Sequence, residues 1–200
     1  MNFSPNEFYH VYNRGNNKQN IFFNEGNYIF FLRKIRTQIL PVAKIVSYCL
    51  MPNHFHFIIM TTNESIKERP SFRGKGMQEL SYRIGILLSS YAQAINNQNK
   101  TTGSLFQQKT KSKILLEEIN GKQESYLENC FFYIHQNPIE AGLVKNLCEW
   151  PYSSYPDYAG LRDGNLCDKE LFYFHSGLSQ VDIIRRSKID FSEGIIRQFL

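Results

Sequence analysis

The chain has 200 residues, of which 42% are hydrophobic and 14% aromatic, and it carries a formal net charge of +5. This length and composition predict a domain with a real apolar core plus appendages, and they exclude a wholly disordered or collagen-like chain. No apolar run approaches the roughly 18 residues needed to span a bilayer, and Met1–Glu7 lacks the basic flank and apolar stretch of a secretory signal, so a cytoplasmic protein is expected.

In chain order, Phe8 to Arg14 is rich in Tyr, Phe and Val and predicts a first strand, which Arg14-Gly15-Asn16-Asn17 then breaks. From Gly26 to Leu40 the apolar residues Ile29, Phe30, Leu32, Ile35 and Ile39 fit a helical stripe, and Pro41 follows its end. Ala43–Leu50 and His54–Thr61 are two β-like runs separated by Met51-Pro52-Asn53, which is hairpin grammar. Residues 68–76 carry Pro and Gly and predict a surface loop. Met77 to Asn97 predicts a long helix with Leu80, Ile84, Leu87, Leu88, Tyr91 and Ile95 on one side. Lys111–Leu116 predicts a short strand. Ser125–Gln136 predicts a helix in which Ser125 and Glu128 form a capping box and Asn137-Pro138 ends the run. Ser176–Leu200 predicts a helical tail. The order strand, helix, strand, strand, helix, strand suits an α+β sandwich, an antiparallel sheet with helices packed on one face.

Four cysteines, Cys49, Cys130, Cys148 and Cys167, contain no Cys-x-x-Cys pair. Free thiols are therefore expected, and neither a zinc ribbon nor a thioredoxin motif. Charge is more informative in its distribution than in its sum. Residues 80–116 contain no acid, while Arg83, Lys100, Lys109, Lys111 and Lys113 are basic. Such a field suits a polyanion, although a solvated basic face has the same composition.

Two short constellations can carry chemistry. In Asn53-His54-Phe55-His56-Phe57, strand periodicity sends His54 and His56 to one face and Phe55 and Phe57 to the other. Two neutral imidazoles side by side can hold one divalent cation, and two histidines on a solvated strand face have the same spacing. If they ligate, activity is expected to fall as pH drops through roughly 6.5, because an imidazolium cannot bind metal. In Tyr133-Ile134-His135-Gln136-Asn137, Tyr133 and Asn137 are four apart on a helix and share a face. A phenol and an amide oxygen can thus be aimed at one point, while His135 falls on another face.

Taken together, the motifs form a pattern. Tyr9-His10-Val11-Tyr12-Asn13-Arg14-Gly15 is followed by Met51-Pro52-Asn53-His54-Phe55-His56 and by Gly103-Ser104-Leu105-Phe106-Gln107. Then come Tyr133–Val144, which opens Tyr133-Ile134-His135-Gln136-Asn137-Pro138, and Trp150-Pro151-Tyr152-Ser153-Ser154-Tyr155. This order resembles the HUH single-tyrosine transposases, in particular the branch of REP-associated tyrosine transposases. The resemblance spans about residues 8–160, giving an expected catalytic domain over 1–160 and a helical C-terminal extension over 161–200.

The resemblance implies a ferredoxin-like fold and a metal-dependent enzyme that cleaves and rejoins single-stranded DNA through a covalent 5′-phosphotyrosine. It implies His54, His56 and Asn137 as ligands of Mg²⁺ or Mn²⁺, and Tyr133 as the nucleophile. DNA contacts are expected from Arg14, Arg83, Lys100, Gln107, Lys109, Lys111 and Lys113. Where many relatives carry Arg, this chain has Lys109, which keeps the charge but gives up bidentate phosphate binding. The implied partner is single-stranded DNA with a hairpin element, met by a monomer or homodimer in the cytoplasm of a bacterium, at the nucleoid. The same residues leave room for a replication or mobilisation nickase of the HUH type, and for a hairpin-binding protein of this fold without cleavage.

Overall fold

The computed structural model describes residues 1–70, 76–119 and 122–187. Four strands form an antiparallel sheet: β1 (Phe8–Arg14), β2 (Ala43–Met51), β3 (His54–Thr61) and β6 (Lys111–Ile114), in the spatial order β2-β3-β1-β6. Helices α1 (Glu25–Gln38) and α2 (Glu79–Asn99) complete a β-α-β-β-α-β unit. Two short ladder strands, β4 (Glu68–Arg69) and β5 (Met77–Gln78), precede α2. The expected α+β architecture is present.

Strand periodicity divides the sheet into two faces. On one, Tyr9, Val11, Phe55, Phe57 and Ile59 pack with Phe31 and Ile35 of α1 and with Leu80, Ile84, Leu87, Tyr91 and Ile95 of α2. The α2 stripe matches its sequence pattern. The α1 stripe is rotated from expectation: Tyr28, Phe31 and Ile35 are buried and Ile29 is exposed. On the opposite face, Phe8, Val46, Cys49 and Ile58 meet α3 (Leu127–Glu140). Helices therefore cover both faces of the sheet and not one. The two helices inside the unit share a face as expected, and α3, which follows the unit, takes the other.

Helix α3 is buried along nearly its whole length. It lies between the sheet and the short helices α4 (Tyr155–Tyr158), α5 (Lys169–Ser176) and α6 (Gln180–Arg186), whose Tyr155, Tyr158, Phe172 and Ile183 belong to the same apolar cluster. That placement buries Leu127 and Cys130–Pro138, the polar His135, Gln136 and Asn137 included. Two local expectations change here. Ser125 does not cap α3, because it lies in the hairpin β7 (Leu116–Ile119) and β8 (Lys122–Ser125), and Tyr126 takes the cap position. Pro138 does not end the helix, which runs to Glu140. Proline in the last turn forfeits one backbone bond, and the helix end is still closed: Ala141 N donates to the Asn137 carbonyl at 2.9 Å.

The motif Trp150–Tyr155 lies along the outer edge of β2. Leu50 N donates to Tyr152 O, Ser154 N donates to Tyr48 O, and Trp150 Nε1 donates to Leu50 O at 2.9–3.0 Å. These bonds occupy backbone groups that an open edge strand would leave to other chains. No disulfide forms among the described residues; Cys49 and Cys130 are buried and Cys148 is exposed. The expected tail is helical in α5 and α6, and its residues 188–200, with Lys188 and Arg197, lie outside the described residues.

Candidate active site

A cavity of about 430 Å³ opens between the end of the sheet and α3. It brings together Tyr133 and Asn137 from α3 with His54 and His56 from β3. Antiparallel register aligns the floor: Arg14 pairs with His54, and Tyr12 pairs with His56 on one side and Lys111 on the other. Arg14, Lys18, Lys109 and Lys111 contribute four cationic side chains to the lining.

The turn that carries His54 is held from several directions. Pro52 O accepts from Ile21 N and Phe22 N at 2.7 and 3.0 Å, and Asn53 O accepts from Gly15 N at 2.7 Å. Gly15 is needed for close approach: a Cβ there would stand 2.0 Å from the Gln19 carbonyl oxygen. Lys18 reaches the cavity from a loop in which Asn17 and Lys18 both adopt left-handed backbone, φ 51° and 60°.

Each cavity histidine presents one nitrogen inward and has the other engaged. His54 Nδ1 is 2.6 Å from Asn53 Oδ1, and its Nε2 is 3.2 Å from Asn137 Oδ1. The amide of Asn137 is oriented by its own Nδ2, which donates to the Tyr133 carbonyl at 2.8 Å. A neutral imidazole has one N–H, so two amide oxygens cannot both be satisfied by it. One nitrogen lone pair is left facing an amide oxygen, an arrangement relieved by a cation between them. His56 Nδ1 is 2.8 Å from His10 Nε2, and the buried His56 Nε2 has no hydrogen-bond partner among the described residues. The rings of His54 and His56 are 4.9 Å apart and nearly perpendicular.

Burial sets the protonation states. It lowers the pKa of His54, an effect that the Asn137 hydrogen bond opposes. It pushes His56 well below the ordinary imidazole value, helped by His10 and His54. Burial, then Lys113, pushes His10 down to about 3. The imidazoles therefore stay neutral, the form that donates a lone pair. Tyr133 is 4% exposed, its ring 5.6 Å from that of His56. Burial first, then the charge of Glu140, pushes its phenol up to about 12, with Asn137 acting in the opposite direction.

Two histidines and one amide oxygen form a mixed N/O donor set that fits a divalent cation such as Mg²⁺ or Mn²⁺. Among the described residues no group of three His, Cys, Asp or Glu side chains is arranged to hold a metal. The third donor here is an amide oxygen, which that grouping omits.

Of the expected DNA contacts, Arg14, Gln107, Lys109 and Lys111 line the cavity. Lys113 lies on the same sheet face one pair further along, opposite His10, with its ammonium 5.6 Å from the Tyr126 ring. Arg83 and Lys100 are not brought to this cavity. Both belong to α2 on the other face, where Arg83 pairs with Glu79 at 2.5 Å and Lys100 forms the helix C-cap. His135 is buried, with its Nε2 2.8 Å from Ser154 Oγ. Sequence reasoning missed His10, Tyr12, Lys18 and Asn53. The period-two alternation of β1 places His10 and Tyr12 on the face of Arg14, and Asn53 adjoins His54; these signals were available.

No described helix is long and apolar enough to cross a membrane. No family model matches the sequence, and no curated protein matches it. Among solved structures, the chain is similar to a REP-associated tyrosine transposase bound to a REP hairpin. The TM-score is 0.54 at 16% sequence identity, over 84% of this chain and 92% of that one. At this identity the likeness is one of fold.

Proposed function

We propose that the protein is a metal-dependent single-stranded DNA endonuclease and strand transferase, a transposase of the HUH single-tyrosine type. One observation carries the reading: a single cavity gathers a buried tyrosine, two inward imidazole nitrogens, an amide oxygen and four cationic side chains. The fold likeness to a hairpin-bound transposase supports it.

His54 Nε2, His56 Nε2 and Asn137 Oδ1 would hold Mg²⁺ or Mn²⁺. When bound, such a cation supplies Lewis-acid stabilisation of charge on a phosphate oxygen. Arg14, Lys18, Lys109 and Lys111 bind backbone phosphates, and Gln107 offers an amide to the strand. Lys113, on the same sheet face, extends the contact along the sheet. The Tyr133 oxygen attacks the scissile phosphorus, forming the P–O bond of a 5′-phosphotyrosine, while the P–O3′ bond breaks and the 3′ oxygen leaves as a hydroxyl. The phenol is protonated at neutral pH, given a pKa of about 12, so its proton departs with the attack. A 3′-hydroxyl attacking the phosphotyrosine reverses the step and joins strands. The substrate is single-stranded DNA with a hairpin, and the site of action is the cytoplasm.

Tyr133→Phe tests the reading. With hairpin DNA and Mg²⁺ or Mn²⁺, wild-type protein should give a covalent adduct on a denaturing gel, and the variant should bind DNA but give none. Cleavage by the variant would contradict the mechanism.

A further inference from the structure

Four side-chain amides line the cavity: Asn13, Asn53, Gln107 and Asn137. Three of them are committed at both ends. Asn13 Nδ2 donates to Gln107 O and Thr110 Oγ1 at 3.1 and 2.9 Å, and its Oδ1 accepts from Arg14 N at 2.7 Å. Asn53 Oδ1 meets His54 Nδ1 at 2.6 Å, and its Nδ2 donates to Lys18 O at 3.5 Å. Asn137 holds the Tyr133 carbonyl with its Nδ2 and faces His54 Nε2 with its Oδ1. The half-buried Gln107 side chain, by contrast, makes no hydrogen bond to any described residue. Its backbone is nonetheless fixed. Gln107 N donates to Arg14 O at 2.9 Å, and its carbonyl takes the Asn13 bond. An uncommitted amide is thus carried on an anchored main chain, between the cationic Arg14 and Lys109 of the same lining.

We propose that Gln107 is a specificity-determining residue whose amide reads one unpaired adenine beside the strand's backbone. This rests on the single-stranded DNA reading of the site, and it names the base. The cations of the cavity suit phosphates, which carry no sequence information. A neutral group with one donor and one acceptor side by side suits a base edge instead. Unpaired bases expose both their Watson–Crick and their Hoogsteen edges. Adenine sets its N6 amino donor between two ring acceptors, N1 on one edge and N7 on the other, so a glutamine amide fits it bidentately from either edge. Cytosine, guanine and thymine pair a donor with an acceptor on the Watson–Crick edge only. On the Hoogsteen edge cytosine has a donor alone, guanine two acceptors, and thymine an acceptor beside a methyl group. The anchor on Arg14 O places the base that is read next to the phosphate that Arg14 meets.

The test is a binding selection without added metal, so that retention is read apart from cleavage. A DNA hairpin with a randomised single-stranded flank is bound to the full chain, and the retained sequences are determined. Wild-type protein should favour adenine at one flank position by about 10- to 100-fold, the discrimination of one bidentate pair. Gln107→Leu keeps the bulk and removes both polar groups, and it should lose the preference at that position alone. Gln107→Glu keeps the shape but has no donor, and it should lose the preference as well. A wild-type pool without adenine enrichment would overturn the proposal, and so would enrichment that persists in either variant. An affinity loss in Gln107→Leu that is equal for all four bases would overturn it too, since the amide would then meet the backbone. Failure of the underlying reading looks different: wild-type protein would retain no member of the pool, and both claims would fall together.

Discussion

His54 Nε2 and Asn137 Oδ1 stand 3.2 Å apart, although 83 residues separate them in the chain. The contact joins the hairpin end of β3 to the last turns of α3 and defines one side of the cavity. Asn137 is held there by its Nδ2 bond to the Tyr133 carbonyl, so the proposed ligand oxygen and the proposed nucleophile share one helix.

Replacing that oxygen should weaken cation binding without unfolding the protein. Asn137→Leu is expected to lower Mn²⁺ affinity by about tenfold or more, and to cost about 0.5–1.5 kcal/mol of stability for the lost hydrogen bond. Asn137→Asp keeps an oxygen, adds charge, and should bind Mn²⁺ at least as tightly as wild type. Calorimetric titration of both variants checks this. Wild-type affinity in Asn137→Leu would remove Asn137 from the donor set.

Acid should affect cation binding later than ordinary histidines suggest. Protons compete with metal for the imidazole lone pairs, so binding is lost as pH falls through the pKa values of the folded protein. Burial lowers the pKa of His54 and lowers that of His56 further. The loss is therefore displaced below the roughly 6.5 expected from the free side chain. Mn²⁺ titrations from pH 7 downward should show near-full affinity at pH 6.5. A tenfold loss already at that pH would contradict the burial argument.

The cations divide by face. Lys109→Ala and Lys111→Ala should each weaken binding of hairpin DNA and reduce the slope of log K against log salt by about 0.7 per lost phosphate contact. Arg83→Ala should leave the slope unchanged, because Arg83 is engaged with Glu79 on the far face. Filter binding over a salt series separates the two outcomes. A slope change for Arg83→Ala would mean that the DNA wraps around α2.

The parts of this site that were legible in the sequence depend on short-range periodicity. Alternation along β3 placed His54 and His56 together, and helical spacing aligned Tyr133 with Asn137. Contacts between distant segments were not legible. The His10–His56 pair spans 46 residues and depends on the diagonal neighbours created by β1–β3 register. The face chosen by α3 depends on packing after the sheet is complete, which local pattern does not encode. Ser125 has the chemistry of a helix cap, but its backbone is drawn into the β7–β8 hairpin. The basic stretch 80–116 is continuous in sequence, yet its path from α2 to β6 crosses from one sheet face to the other, so its charges do not form one patch.

The most direct measurement is to incubate the protein with single-stranded hairpin DNA and Mg²⁺ or Mn²⁺, isolate any covalent adduct on a denaturing gel, and map the modified peptide. An adduct on Tyr133 that requires the cation is the predicted result. An adduct on another residue, or tight binding of a broad hairpin pool without any adduct, would contradict the account and leave a DNA-binding protein that does not cleave.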